Sequence, residues 1–295
     1  MSDAAYTKYC AEFEQSYAAA LSGLNGNAAH RELFESLVPL WTFLGVATNE
    51  TIAINPTKEL LLSHLSYAGE TAKFLEVSSD KRFERAFSRE LNEAARALSF
   101  TSYFDELISD SICLLNAFAV FDYRGTVVAV RCMLEDLYRH LYYKDHREYF
   151  VRVHELGESE FSLDIAPKEF RKYLKSTSYL RVLDTFQWGL TVRGSVIKGG
   201  IHSLSDALYS ASSAYTHGAA PKLLNQFASN LDRSFSALRS DEVKDLVKKF
   251  VVLANLYLIF SHREYFARFN EADKRTVLRA FGATERAAIR RKVGA

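Results

Sequence analysis

Proline is nearly missing from this chain of 295 residues, which holds four prolines and 13 glycines. So few breakers argue against a turn-rich fold and leave long regular elements, which helices accommodate best. Cysteine is as scarce. Cys10, Cys113 and Cys132 are odd in number, far apart and form no Cys-x-x-Cys pair. That argues against a disulfide framework or a zinc cluster and points to a reducing compartment. Long apolar runs are lacking too. The longest, residues 112–121 and 250–260, are interrupted by Asn116 and Asn255, and each is about half of the roughly 20 residues that a membrane span needs. Both read as core helices. The opening stretch MSDAAYTKYC has no basic region followed by an apolar core, so no secretory signal is expected. Charge of one sign is not in excess either: the net charge is +1, and overall charge therefore implies neither nucleic acid nor membrane as a partner. A cytoplasmic protein without membrane contact is the expectation.

What is present is the composition of a globular protein, 48% hydrophobic and 25% charged. Apolar residues recur at helical spacing along most of the chain. Helices are predicted over 4–22 and 27–44, the second capped by Asn27 and kinked or split at Pro39. Further starts fall at Asn55-Pro56-Thr57 and near Ser79. The pattern continues with helices over 101–121, 126–143, 168–175, 178–188, 203–216, 220–238, 240–266, 271–281 and 283–293. Asp122-Tyr123-Arg124-Gly125 reads as a turn, 157–167 as a loop, and the glycine-rich 189–202 as another. Only 192–201 carries a pattern that suits a short strand. The fold class is all-α, a multi-helix bundle. Its organisation is read as an N-terminal helical segment (1–100), a helical core (101–265) and a basic C-terminal helical tail (266–295). No linker composition marks the boundary near residue 100, so one continuous body is the alternative.

Two polar stripes stand out. On the helix containing residues 125–146, Val127, Val130, Leu134, Leu137 and Leu141 form the core face. Arg131, Glu135, Tyr138 and Tyr142 run immediately beside it. Arg131 and Glu135 can pair one turn apart. A charge pair that borders a core must find further partners for its remaining donors and acceptors, which predicts a polar partner elsewhere in the fold. Tyr209, Ser213 and His217 share one face of a later helix, and Gly218 follows as a terminator. A histidine at a helix C-terminus gains from the dipole when protonated.

The Arg-x-x-x-Glu helix with its aromatic run, paired with Tyr-x-x-x-Ser-x-x-x-His-Gly, resembles the HEPN superfamily, and more narrowly its uncharacterised and abortive-infection-like branches. The residues concerned are Arg131, Glu135, Tyr138, Tyr209, Ser213, Tyr215, His217 and Gly218, within roughly 101–265. The resemblance implies a HEPN-like four-helix core, often dimeric, and a metal-independent endoribonuclease of a prokaryotic defence or toxin system. In that reading His217 is the acid/base for attack of a 2′-hydroxyl on phosphate, Arg131 clamps the phosphorane and Glu135 orients it. Tyr138, Tyr209 and Ser213 are the accompanying binding residues. RNA, a protein of the same defence system and a second copy of the chain are the partners implied. The chain departs from the family pattern before His217. Ser210, Ala211 and Ser212 stand where the motif arginine belongs, which makes Arg131 the candidate substitute in space. Literal Arg-x6-His matches at Arg139/His146 and Arg147/His154 are of a kind that arises readily by chance.

The missing arginine favours a different reading, a non-catalytic helical module that binds or regulates a partner protein. In it His217 is a helix-terminal histidine bonded to a neighbouring helix, and Arg131–Glu135 is an interhelical structural pair. The tail supplies a second candidate surface. Lys274, Arg275, Arg279, Arg286, Arg290, Arg291 and Lys292 stand over 274–295 against Glu285 alone, a locally basic amphipathic helix able to contact phosphates or an acidic partner. Arg286, Arg290 and Arg291 are its candidate binding residues. His140, His146 and His154 lack metal-ligand spacing, and Gly194, Gly199 and Gly200 with Lys198 form neither a P-loop nor a dinucleotide fingerprint. No metal and no cofactor is expected.

Overall fold

The computed structural model describes residues 28–54, 102–154, 160, 167–177, 180, 183, 191–192, 195–196, 200–216 and 236–293. The helix expected over 4–22, those starting near 55 and 79, and most of those over 178–188 and 220–238 lie outside the described residues. Those described form an all-α, multi-helix bundle with one small hairpin. In chain order the elements are α1 (Ala28–Ile54), α2 (Ser102–Ala119), α3 (Tyr123–Asp145), α4 (Arg147–His154), α5 (Pro167–Ser176), β1 (Thr191–Val192), β2 (Ser195–Val196), α6 (Gly200–Thr216), α7 (Ala237–Ser261), α8 (Arg263–Arg268), α9 (Glu271–Leu278) and α10 (Ala283–Val293). The two strands pair antiparallel, Thr191 with Val196 and Val192 with Ser195; all but Thr191 fall within 192–201, the stretch whose pattern suited a strand.

The centre of the bundle is α3, which packs against α2, α5, α6 and α7. Its start is set by Asp122, whose carboxylate accepts from the Gly125 amide at 2.9 Å. This is side-chain capping of an otherwise unpaired N–H. Helix α3 therefore begins at Tyr123, inside the stretch expected to be a turn. The reversal occupies Val120–Asp122, with Phe121 at φ 58°, and it folds α3 back along α2. Leu107, Leu114 and Phe118 of α2 interlock with Val127, Val130, Leu134, Leu137 and Leu141 of α3, all of them essentially inaccessible.

Helix α7 explains the longest apolar run. Every residue from Phe250 to Ile259 is buried, as expected of a helix surrounded by others rather than lying on a surface. It ends at Ser261, and His262 separates it from α8, so the single helix expected over 240–266 is two. Helix α1 corrects another expectation. It runs through Pro39 without ending. Proline removes one ladder hydrogen bond, but Leu33, Leu37, Leu40, Phe43 and Leu44 are all fully buried around it. Burial of this size, roughly 2 kcal/mol per aliphatic side chain, exceeds the local loss. Helix α1 packs against α2, α7, α8 and α9, and its apolar side chains belong to the same core as theirs. Glu32 also ties it to α7, accepting from Lys244 at 2.7 Å and from Lys248.

Candidate functional site

The two polar stripes meet where α3 packs against α6. Arg131 Nε donates to Glu135 Oε1 at 2.8 Å, and Nη2 lies 2.6 Å from the same oxygen. Its Nη1 crosses to α6 and donates to Ser213 Oγ at 2.6 Å and to the Tyr209 carbonyl at 3.4 Å. The guanidinium carbon stands 3.3 Å from the centre of the Tyr209 ring. Helical spacing produces this arrangement directly: Arg131 and Glu135 are one turn apart on α3, and Tyr209 and Ser213 are one turn apart on α6. The Arg131 side chain keeps 11% of its surface exposed and Glu135 keeps 30%. Every nitrogen of the Arg131 guanidinium is engaged inside the protein, and one ring face covers it.

A second guanidinium completes the group. Arg171, on α5, places its guanidinium carbon 3.9 Å from the centre of the same Tyr209 ring. Both guanidiniums therefore pack against the one Tyr209 ring. Cation–π contacts of this kind contribute about 0.5–2 kcal/mol each. Arg171 forms no ion pair with a carboxylate among the described residues, and its buried Nε has no hydrogen-bond partner among them. The sequence reading did not single out Arg171. Its position beside Phe170 and Leu174, both buried, is the one local sign that its stem faces the bundle.

Tyr138 stands deeper. It is 1% exposed, its hydroxyl lies 2.5 Å from Ser205 Oγ, and burial pushes its ionisation well above the usual tyrosine range. Its ring stacks at 6.5 Å on Tyr209, joining the polar group to the core. His217, proposed as acid/base, and Gly218 lie outside the described residues, as does the Tyr215 side chain.

Two further pairs escaped sequence reasoning because their members are far apart in the chain. The first is Asp110 on α2 with Asp136 on α3, whose carboxyls hydrogen-bond to one another. Burial raises Asp136 to about 7; Arg139 opposes the shift, and Asp110 and Glu106 add to it. The second is His140 with His262, both buried, their Nε2 atoms 2.7 Å apart. Burial, followed by the neighbouring His140 and Lys144, holds His262 well below the usual imidazole range. Both pairs tie α3 to a neighbouring element. Among the described residues no group of three or more His, Cys, Asp and Glu side chains is placed to hold a metal ion.

The basic tail forms a cleft. Arg275, Leu278, Arg279, Ala283, Arg286, Ala287 and Arg290 line a depression of about 580 Å³ between α9 and α10. Arg286 and Arg290 thus share one surface with Arg275 of α9 and with Arg279 just past its end, while Arg291 is exposed outside that lining. Comparison with known proteins adds no family to this picture: no family model, no curated protein and no solved structure matches the chain. Among the described residues, no helix is long and apolar enough to cross a membrane.

Proposed function

We propose that the chain is a non-catalytic helical interaction module, in which the Arg131–Glu135–Tyr209–Ser213 group holds α3 and α6 together. The observation that carries this reading is the engagement of Arg131. A guanidinium that clamps a phosphorane must present free N–H donors to the place where charge develops. Arg131 spends its donors on Glu135, Ser213 and the Tyr209 carbonyl. Replacing those partners with a phosphate would take from Glu135 its closest cation and from Ser213 its hydrogen bond, and would set a second anion beside the Glu135 carboxylate. The test is incubation of the purified chain and a His217→Ala variant with total RNA. RNA left intact by both is the expected result. Cleavage by the wild type that disappears in His217→Ala would overturn the reading.

One observation favours the HEPN-like endoribonuclease reading, that of an RNA-cleaving effector of a prokaryotic defence or toxin system. Arg171 carries a second guanidinium against the Tyr209 ring with no carboxylate paired to it among the described residues. In this second reading Arg171, rather than Arg131, is the phosphate clamp, and His217 remains the acid/base. It requires that RNA cleavage be lost in both Arg171→Ala and His217→Ala while the thermal melts of the variants stay close to that of the wild type.

A further inference from the structure

The arginine cleft between α9 and α10 has a chemistry of its own, independent of the α3–α6 group. Arg275 and Arg279 stand one turn apart on one side; Arg286 and Arg290 stand one turn apart on the other. Leu278, Ala283 and Ala287 give the cleft an apolar floor. All four arginines are exposed, and none forms an ion pair with a carboxylate among the described residues. Arg275 spends only its Nε, on the Glu271 carbonyl at 3.1 Å.

The nearby acids are directed elsewhere. Glu271 accepts from Lys274 at 3.4 Å. Asp273 binds Asn270 at 2.6 Å. The Glu285 carboxylate folds back over Gly282, where a β-carbon would overlap it. Over residues 271–295 seven basic side chains face three acidic ones, in a molecule whose net charge is +1. The charge of this corner is therefore uncompensated locally, and exposed charge of one sign attracts a partner of the other.

We propose that this cleft is a docking site for an acidic amphipathic helix of a partner protein. Three features select that occupant. Guanidiniums are planar forks that take carboxylates bidentately. Arginines one turn apart on each rim match carboxylates one turn apart on a helix. The floor is aliphatic, which suits leucine or isoleucine side chains between the carboxylates. Single-stranded nucleic acid is the less suitable ligand, because its binding sites add aromatic platforms on which bases stack and no aromatic side chain lines this cleft. The proposal rests on the interaction-module reading and names the partner's chemistry.

The experiment measures fluorescence anisotropy with the full chain and three probes. One is a labelled 16-residue helical peptide with glutamates one turn apart flanking leucines. Another has the same composition in scrambled order. The third is a labelled single-stranded oligouridine. Binding of the patterned peptide at least about tenfold tighter than of the scrambled one is expected, with a further loss of about tenfold in Arg279→Glu/Arg286→Glu and weakening as salt rises. The two residues are exposed, so circular dichroism should report an unchanged fold. Arg286→Lys/Arg290→Lys keeps the charge but removes the forks, and should weaken binding by several-fold. Equal binding of the two peptides, no effect of charge reversal, or tighter binding of the oligouridine would overturn the proposal. None of these outcomes involves RNA cleavage, so failure here is distinguishable from failure of the interaction-module reading, whose test is RNA cleavage by the wild type and its loss in His217→Ala.

Discussion

At the scale of the residue, the molecule places several ionisable groups where burial acts on them, and the signs differ. His262 has its imidazole held below the usual range by burial. Its neutral form is the one the fold accepts, so its contribution to stability is full above the unfolded value near 6.5. That contribution is lost as pH falls below that value, by up to about 1.4 kcal/mol per pH unit until the lowered folded value is reached. Asp136 acts in the opposite direction. Its folded value of about 7 lies above the ordinary 3.8, so the fold prefers the protonated acid and stability falls as pH rises from about 4 to about 7. Urea denaturation across pH should separate the two. Asp136→Asn is expected to stabilise the protein at pH 8 and to flatten the loss above pH 4. His262→Gln, which keeps a hydrogen-bonding group beside His140, is expected to blunt the loss between pH 6.5 and 5. Neither pair was legible in the sequence. His140 and His262 are 122 positions apart, and nothing local to either marks the other. Arg131, Glu135, Tyr209 and Ser213 were legible, because each pair sits one helical turn apart beside an apolar stripe, a pattern that requires a polar counterpart. Arg171 was not, since one arginine on a short helix is ordinary.

At the scale of the element, helix ends depend on single side chains, and this is where sequence reading and structure diverge most. Residues 122–125 carry turn composition, yet Asp122 converts them into a helix start by capping Gly125. A β-carbon at 125 would sit 2.6 Å from Asp122 Oδ2. Two effects then compete in Gly125→Ala. Helix propensity favours alanine by about 0.8–1 kcal/mol, and displacement of the cap costs about 1 kcal/mol. The substitution is expected to be near neutral in the wild type and stabilising by about 1 kcal/mol in an Asp122→Ala background, a coupling that a double-mutant cycle in urea resolves. Pro39 misled in the other direction. Read locally it kinks or splits a helix, but α1 is not split there, and the burial of Leu37, Leu40, Phe43 and Leu44 holds it continuous. Glu32 adds an electrostatic tie between α1 and α7. Its hydrogen bonds to Lys244 and Lys248 depress its carboxyl to about 2. That tie is present above the ordinary carboxyl range and is lost as pH falls through about 2. Because Glu32 remains 39% exposed, salt screening should weaken it, and Glu32→Gln should narrow the difference in melting temperature between low and high salt.

At the scale of the whole molecule, the long helices followed from the scarcity of proline and glycine, and the all-α bundle is what the described residues form. The arrangement of those helices was not legible, because packing partners are set by shape and burial over long sequence separations rather than by local pattern. Charge is organised at this scale as well. A nearly neutral chain carries a local excess of basic side chains at the α9–α10 corner, on helices other than those that hold the polar group between α3 and α6. The α3–α6 group joins two helices, whereas the α9–α10 corner is the surface proposed to meet a partner. The most direct test of that separation is a urea-denaturation double-mutant cycle on Arg131→Met and Ser213→Ala, with RNA integrity followed in parallel. The account predicts that Arg131→Met lowers stability by about 1–3 kcal/mol, couples to Ser213→Ala by about 0.5 kcal/mol or more and changes no RNA-cleaving activity. Unchanged stability together with loss of an RNA cleavage that the wild type performs would contradict it.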